Sequence, residues 1–225
     1  MTPTNPKGKK FSWSPSAIGD YINCPRQWAA KKYYENLPYV ETIHTKAGKV
    51  EHKHLELRMA ENKPLPSGYA RGEKYCKAFE KARGQVITEQ QLAINRDMKF
   101  VKWFSKEAYG RCVIDIALLL PKKIACYDYK SGNIRENSLQ LKINACFLSL
   151  KYPEVEEFVL RYIWLKHDVT TGENFKKSDI PDLWKEIFSW VNRMEESWRT
   201  ETFAPKPSGL CRGWCGVSSC EFCGK

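Results

Sequence analysis

The sequence predicts an α/β fold: a central mixed β-sheet flanked by helices, with N-terminal helices ahead of it and a C-terminal cysteine-rich metal-binding tail behind it. Three observations predict this. Helical patterns fill the first third, a cluster of β-branched and apolar segments follows, and four of the nine cysteines crowd the last fifteen residues. Taken in order, residues 1–12, with Lys7, Lys9 and Lys10, read as a disordered basic lead. Ser14 then caps a helix to about residue 23, and Cys24-Pro25 opens a second with proline at its first position. A helical pattern over 45–62 is ended by Pro64 and Pro66, and 68–82 reads as another helix. Alternation over 84–95 predicts a strand, and 112–120 and 123–130 predict two more around a Pro121-Lys122-Lys123 turn. A helix over 136–151 and a strand over 155–165 follow. The last helix, over 179–199, begins at Pro181 and is lined by Leu183, Trp184, Ile187, Phe188, Val191 and Trp198. The organisation is therefore a main domain over 13–205 and a tail over 206–225 that packs back on the N-terminal helices.

Composition narrows the function. The chain has 225 residues, 42% hydrophobic and 28% charged, with a net charge of +11 and a pI near 9.2. Such a balance favours a polyanionic partner, nucleic acid first, because phosphate neutralisation by Lys and Arg releases counterions. An odd cysteine count argues against a secreted disulfide scaffold. The N-terminus lacks the apolar core of a signal peptide, and no apolar run reaches membrane-spanning length, so a reducing cytoplasm is expected.

The chemistry centres on Asp115 and on Asp128-Tyr129-Lys130, each beside an apolar strand segment. Strand alternation puts Asp128 and Lys130 on one face and turns Tyr129 away. A hairpin bringing the two acids together offers two anionic oxygens and one cation. Phosphodiester hydrolysis needs an activated water and relief of charge on the phosphoryl oxygens, and a hard cation such as Mg²⁺ on oxygen ligands supplies both. Asp115 and Asp128 are the expected ligands, with the Tyr129 backbone carbonyl as a third oxygen. Lys130, beside two carboxylates, is expected to stay charged and to orient the water or stabilise the transition state. The competing reading is an ordinary surface Asp-x-Lys.

Ser14-x-Ser16 with Cys24-Pro25-Arg26, Gly48 followed by His52-x-x-Leu55-Glu56, Asp115, Asp128-Tyr129-Lys130-Ser131-Gly132 and Gln140 stand in an order that resembles a known family. It is the RecB-like branch of the PD-(D/E)XK nuclease superfamily, its phage-encoded and CRISPR-associated exonuclease members above all. The resemblance implies a restriction-endonuclease-like core over 13–205 and a Mg²⁺- or Mn²⁺-dependent deoxyribonuclease, an exonuclease more than an endonuclease. It implies DNA ends or single strands as substrate, and phage or bacterial recombination or repair as the setting. The partners would be DNA and a recombination or single-strand-binding protein, in a bacterial cytoplasm or, for a phage protein, the host's. His52 would be an extra metal ligand, Asp115 and Asp128 the acidic ligands, Lys130 the catalytic lysine, and Gln140 a helix residue that contacts DNA or orders the site. His54 competes with His52, but its spacing from Gly48 fits less well. Glu89 resembles a strand glutamate that some members place near the metal; an ordinary surface glutamate is the alternative. Asn144 and Cys112 depart from the family pattern, which has Tyr and Gly there.

Cys211, Cys215, Cys220 and Cys223 lie too close together for unrelated thiols and suit Zn²⁺ or an iron–sulfur cluster. Iron–sulfur members of the branch add an early cysteine, so the resemblance implies [4Fe–4S] on Cys24, Cys211, Cys215 and Cys220, with Cys223 spare. A structural Zn²⁺ on the tail alone is the alternative. Cys76, Cys112, Cys126 and Cys146 read as small core residues. Trp13, Trp28, Trp103 and Trp214 are candidates for stacking on unpaired bases. Two other functions compete: a nucleic-acid-binding protein with a structural metal cluster and a vestigial site, and a site-specific endonuclease.

Overall fold

Capping residues set the helix starts in the computed structural model, which describes residues 3–37 and 42–225. Ser14 Oγ accepts the Ala17 amide at 3.3 Å and starts α1 (Pro15–Asn23), and α2 (Pro25–Lys32) opens on its proline. Thr42 Oγ1 accepts the Thr45 amide at 3.1 Å to start α3 (Ile43–Glu61), which Asn62 ends in a left-handed conformation. The helix expected over 68–82 is split: Ser67–Gly72 forms a 3₁₀ turn, and α4 (Glu73–Lys81) follows. Gly68 and Gly72, poor helix formers, account for the loose first half.

The strands are β1 (Gln85–Ile94), β2 (Phe100–Val101), β3 (Gly110–Leu120), β4 (Lys123–Lys130), β5 (Glu157–Trp164) and β6 (Val169–Lys176). They form one mixed sheet in the order β2-β1-β3-β4-β5-β6. The pairs β1–β2, β3–β4 and β5–β6 are antiparallel, and β4–β5 is parallel. A parallel pair needs a long crossover, which α5 (Leu139–Lys151) supplies. The sequence reading did not foresee β2 or β6. The first is two residues long, and the second is a largely exposed edge whose Thr170-Thr171-Gly172-Glu173-Asn174 run lacks an apolar signal. Gly172 sits where an added Cβ would lie 2.0 Å from the Leu160 carbonyl oxygen, so the tight β5–β6 pairing requires it.

The chain divides into two units. The first comprises residues 41–92 and 112–184, and its core joins Leu55, Cys76, Phe79, Ile116, Tyr129, Ile163 and Leu165. Helix α5 buries Leu141, Ile143, Phe147 and Leu148, each worth about 1.5–3 kcal/mol, together with Ala145 and Cys146. Buried Arg58 ties α3 to α4 through Glu73 and Glu80.

The second unit comprises residues 1–40, 93–111 and 185–225, and includes most of α6 (Ile180–Thr200). Its core is aromatic: Tyr33 lies 4.9 Å from Trp198 and 5.0 Å from Phe203, and Trp28 lies 5.6 Å from Trp198, between ring centroids. Trp13 and Trp28 are each 1% exposed, so these two stacking candidates belong to the core instead. The expected disordered lead is also corrected over its described residues, since 1 and 2 lie outside them. Asn5 is buried, donates to the Tyr33 carbonyl and accepts the Lys7 and Lys9 amides, and Phe11 packs on Tyr109 and Trp198. One Asn and one Phe thus anchor a segment whose lysines suggested solvent.

Candidate active site

Strand register builds the site. Ile116 of β3 pairs with Tyr127 of β4, so the next positions along the hairpin are Asp115 and Asp128. Asp115 Oδ2 accepts the Tyr129 amide at 3.0 Å. Asp128 is 2% exposed; its Oδ1 accepts a short hydrogen bond from Gln140 Nε2 at the start of α5. Lys130 Nζ donates to Gln140 Oε1 at 2.8 Å and lies 2.5 Å from Asp128 Oδ2. The buried Asp128 carboxylate is thus ion-paired with Lys130 through one oxygen and hydrogen-bonded to Gln140 through the other.

His52, projecting from α3, has Nδ1 3.5 Å from Asp115 Oδ2. Burial holds its imidazole below the ordinary value, against an upward pull from Asp128. His54 stacks near Tyr69 instead, with centroids 4.9 Å apart. Close approach of α3 is allowed by Gly48, where a Cβ would lie 2.7 Å from Ser131 Oγ. Burial, then the charges of Asp128 and Glu89, push Asp115 well above the usual carboxylate range. Glu89 rises to about 7, through burial first and Glu56 second. Its backbone has φ 47° inside β1, a left-handed conformation that costs about 1–3 kcal/mol for a non-glycine residue and often marks functional sites.

The sequence profile of the PD-(D/E)XK nuclease superfamily matches residues 12–223. The chain belongs to that superfamily. Comparison with curated proteins returns no match. Among solved structures, one named "Putative exonuclease", from Eubacterium rectale, is similar with a TM-score of 0.52 at 10% identity, covering 90% of this chain and 86% of that one. The protein SSO0001 is similar with a TM-score of 0.51 at 14% identity, covering 95% and 88%. At such identities the likeness is one of fold.

The PD-(D/E)XK site also contains residues that the sequence reading did not assign. Tyr162 of β5 pairs with Asp128 across the parallel ladder, and its ring centre lies 5.0 Å from Lys130 Nζ. Glu56, one helical turn after His52, exerts the largest charge effect on Glu89 and is bound by Lys53 at 2.7 and 2.8 Å. The i, i+4 spacing from His52 is the signal that could have found it. Asn144, a departure from the family pattern, is fully buried: it accepts from Cys112 Sγ at 3.1 Å and approaches Cys126 Sγ at 3.8 Å. The two departures are thus partners, fixing α5 one turn beyond Gln140.

A divalent cation suits this donor set, in which burial and neighbouring carboxylates raise the pKa of Asp115 and of Glu89. Among the described residues, no three His, Cys, Asp or Glu side chains converge closely enough to hold an ion. Lys130, Gln140 and the Tyr129 amide hold the acids instead.

The nuclease's tail lies in the other unit. Ser208 starts a 3₁₀ turn (Gly209–Arg212), and its amide donates to Cys211 Sγ at 3.4 Å. Cys223 Sγ donates to the Cys215 carbonyl at 3.1 Å. Burial, then the neighbouring Cys215 and Cys220, raise the Cys223 thiol, with Cys211 adding to the effect. Cys24 is half-buried at the start of α2. Arg26 of that helix lies 3.7 Å from Glu221, and Lys206 donates to the Ile22 carbonyl at 2.7 Å. Cys76, Cys112, Cys126 and Cys146 are buried.

Proposed function

We propose that the protein is a Mg²⁺- or Mn²⁺-dependent deoxyribonuclease acting as an exonuclease on DNA ends or single strands. The observation that carries this reading is the cluster of Asp115, Asp128 and Lys130 brought together by the β3–β4 hairpin, with Gln140 bonded to both Asp128 and Lys130. Asp115, Asp128, the Tyr129 carbonyl, His52 and Glu89 would hold the cation, which supplies Lewis-acid relief of phosphoryl charge and a more acidic water. Lys130 orients the attacking water and stabilises transition-state charge; Gln140 positions both Lys130 and Asp128. Net charge of +11 supports a polyanionic substrate. The name of the Eubacterium rectale protein favours exonuclease over endonuclease. Phage or bacterial recombination or repair is the setting consistent with that activity.

The tail would hold a thiolate-bound metal. The two occupants its thiols offer are Zn²⁺ on Cys211, Cys215, Cys220 and Cys223, and [4Fe–4S] on Cys24, Cys211, Cys215 and Cys220. A colourless protein with one zinc per chain supports the first; a brown one with visible absorption supports the second.

The test of the nuclease reading is cleavage of end-labelled linear and circular single-stranded DNA with Mg²⁺ or Mn²⁺, with the Asp128→Ala protein alongside. Shortening of linear DNA from its ends, with circles intact and the variant inactive, is the expected result. Cut circles indicate an endonuclease. Inactivity of the wild type on every substrate leaves a binding protein with a vestigial site.

A further inference from the structure

The β2–β3 connection holds an aromatic, basic turn for which the acid site has no use. Lys99-Phe100-Val101-Lys102-Trp103-Phe104-Ser105-Lys106 places three rings and three lysines in eight residues. Phe104 is 90% exposed, and Phe100 and Trp103 are partly so. Leaving one such ring in water forgoes about 1.5–3 kcal/mol of burial.

The turn is braced. Ser105 N donates to the Lys102 carbonyl at 2.9 Å, Ala108 N to the Ser105 carbonyl at 3.1 Å, and Glu107 N to Ser105 Oγ at 3.1 Å. Arg111 Nε donates to the Trp103 carbonyl at 3.0 Å, and its guanidinium lies 6.0 Å from that ring's centre. The rings are therefore presented on ordered backbone, which lowers the entropy cost of using them.

Beside the turn, a cleft of about 280 Å³ is lined by Lys10, Arg96, Lys106 and Tyr109, with Asp97 and Glu107. Arg96 stacks over Tyr109 at 4.3 Å and pairs with Glu195, so it shapes the wall. Lys10 and Lys106 supply the cationic rim.

We propose that this turn and cleft bind single-stranded nucleic acid, with Phe104 and Trp103 stacking on unpaired bases and Lys10, Lys102 and Lys106 meeting phosphates. Every base has a π-face, but a duplex keeps those faces covered, so an exposed ring reads the single strand. Lysines interleaved with the rings match a polyanion better than an apolar protein face. The inference rests on the nuclease reading for the presence of nucleic acid and deepens it by naming the strand class.

The experiment is fluorescence anisotropy of labelled oligo(dT), and of a duplex of equal length, in EDTA at low salt. The proteins are the wild type, Phe104→Ala, Phe104→Trp and the Lys102→Ala/Lys106→Ala pair. Phe104→Ala should weaken single-strand binding by ~5-fold or more while duplex binding is unchanged. Phe104→Trp should restore it, and the lysine pair should flatten its salt dependence. Unchanged single-strand binding by Phe104→Ala, an equal loss on duplex, or no binding by the wild type overturns the proposal. So does Phe104-dependent binding to anionic vesicles in place of DNA. Cleavage with Mn²⁺ is read on the same proteins. Wild-type cleavage with Phe104-independent binding sinks this inference alone. Phe104-dependent binding without any cleavage supports it and sinks the nuclease reading alone.

Discussion

Asp115 and Asp128 are set face to face by a hydrogen-bonded strand pair, whereas Cys211, Cys215, Cys220 and Cys223 hang on short turns among exposed Leu210 and Trp214, 55% and 77% accessible. The acids sit over a packed core that includes Ile116, Tyr129 and Ile163. Few tail side chains are buried; Val217 is one, at 8% exposure. The difference teaches how each site depends on its ligand. A strand register delivers its carboxylates whether or not a cation is bound. A turn-built cluster without a core would take much of its order from the metal proposed for it.

The sharpest break of the comparison removes chemistry from the first site without touching its frame. Asp128→Ala or Lys130→Ala should lower cleavage by ~10²–10³-fold or more, while melting changes little, because backbone pairing holds the hairpin. Gel assays of end-labelled DNA, with thermal melts alongside, check both halves; near-wild-type cleavage by either variant removes these residues from the mechanism. In the tail the same kind of change should cost structure. Cys220→Ser, or chelation, should release the metal and speed proteolysis within 206–225 by roughly tenfold or more. Metal analysis and limited proteolysis read this, and a metal-free tail that resists protease as before would mean that the turns hold themselves.

Much of the acid site was legible because it lies within short reach along the chain. Alternation put Asp128 and Lys130 on one face, a tight turn made Asp115 their neighbour, and Gln140 opens the next helix. What stayed hidden depends on long-range pairing. Nothing local says that Tyr162 lies beside Asp128, since that follows from the β4–β5 register. Glu89's left-handed backbone is likewise a property of the packed strand, not of Ile87-Thr88-Glu89-Gln90 as a string. β6 was missed because an exposed edge strand needs no apolar alternation. The lysines at 7, 9 and 10 hid the anchoring roles of Asn5 and Phe11, for charge counts solvent contact and not the single buried amide ahead of them.

Gln140 separates positioning from ligation. It bonds both Lys130 and Asp128 without contributing a charge. Gln140→Ala should cost ~10–100-fold in cleavage, the usual range for a residue that orients ligands, less than the loss of Asp128 itself. A loss as large as that of Asp128→Ala, measured on the same substrate, would assign Gln140 a direct role.

The smallest expected effect tests the crowding of acids directly. Glu89 is raised from 4.5 to about 7 by burial and then by Glu56, so the folded protein holds this proton more tightly than the unfolded chain. Between those values the folded state binds more protons, and the metal-free protein must lose stability as pH rises from about 4.5 through about 7. Glu89 is only partly buried, and solvent screening trims the loss to ~1 kcal/mol, or roughly 2–4 °C in Tm for a chain of this size. Glu89→Gln should flatten that fall in metal-free melts, and it should weaken the growth of Mn²⁺ stabilisation with pH, because the cation competes with this proton. If the variant's Tm falls as steeply as the wild type's across the same window, Glu89 is not the titrating group, and Asp115, raised by the same crowding, carries the pH dependence.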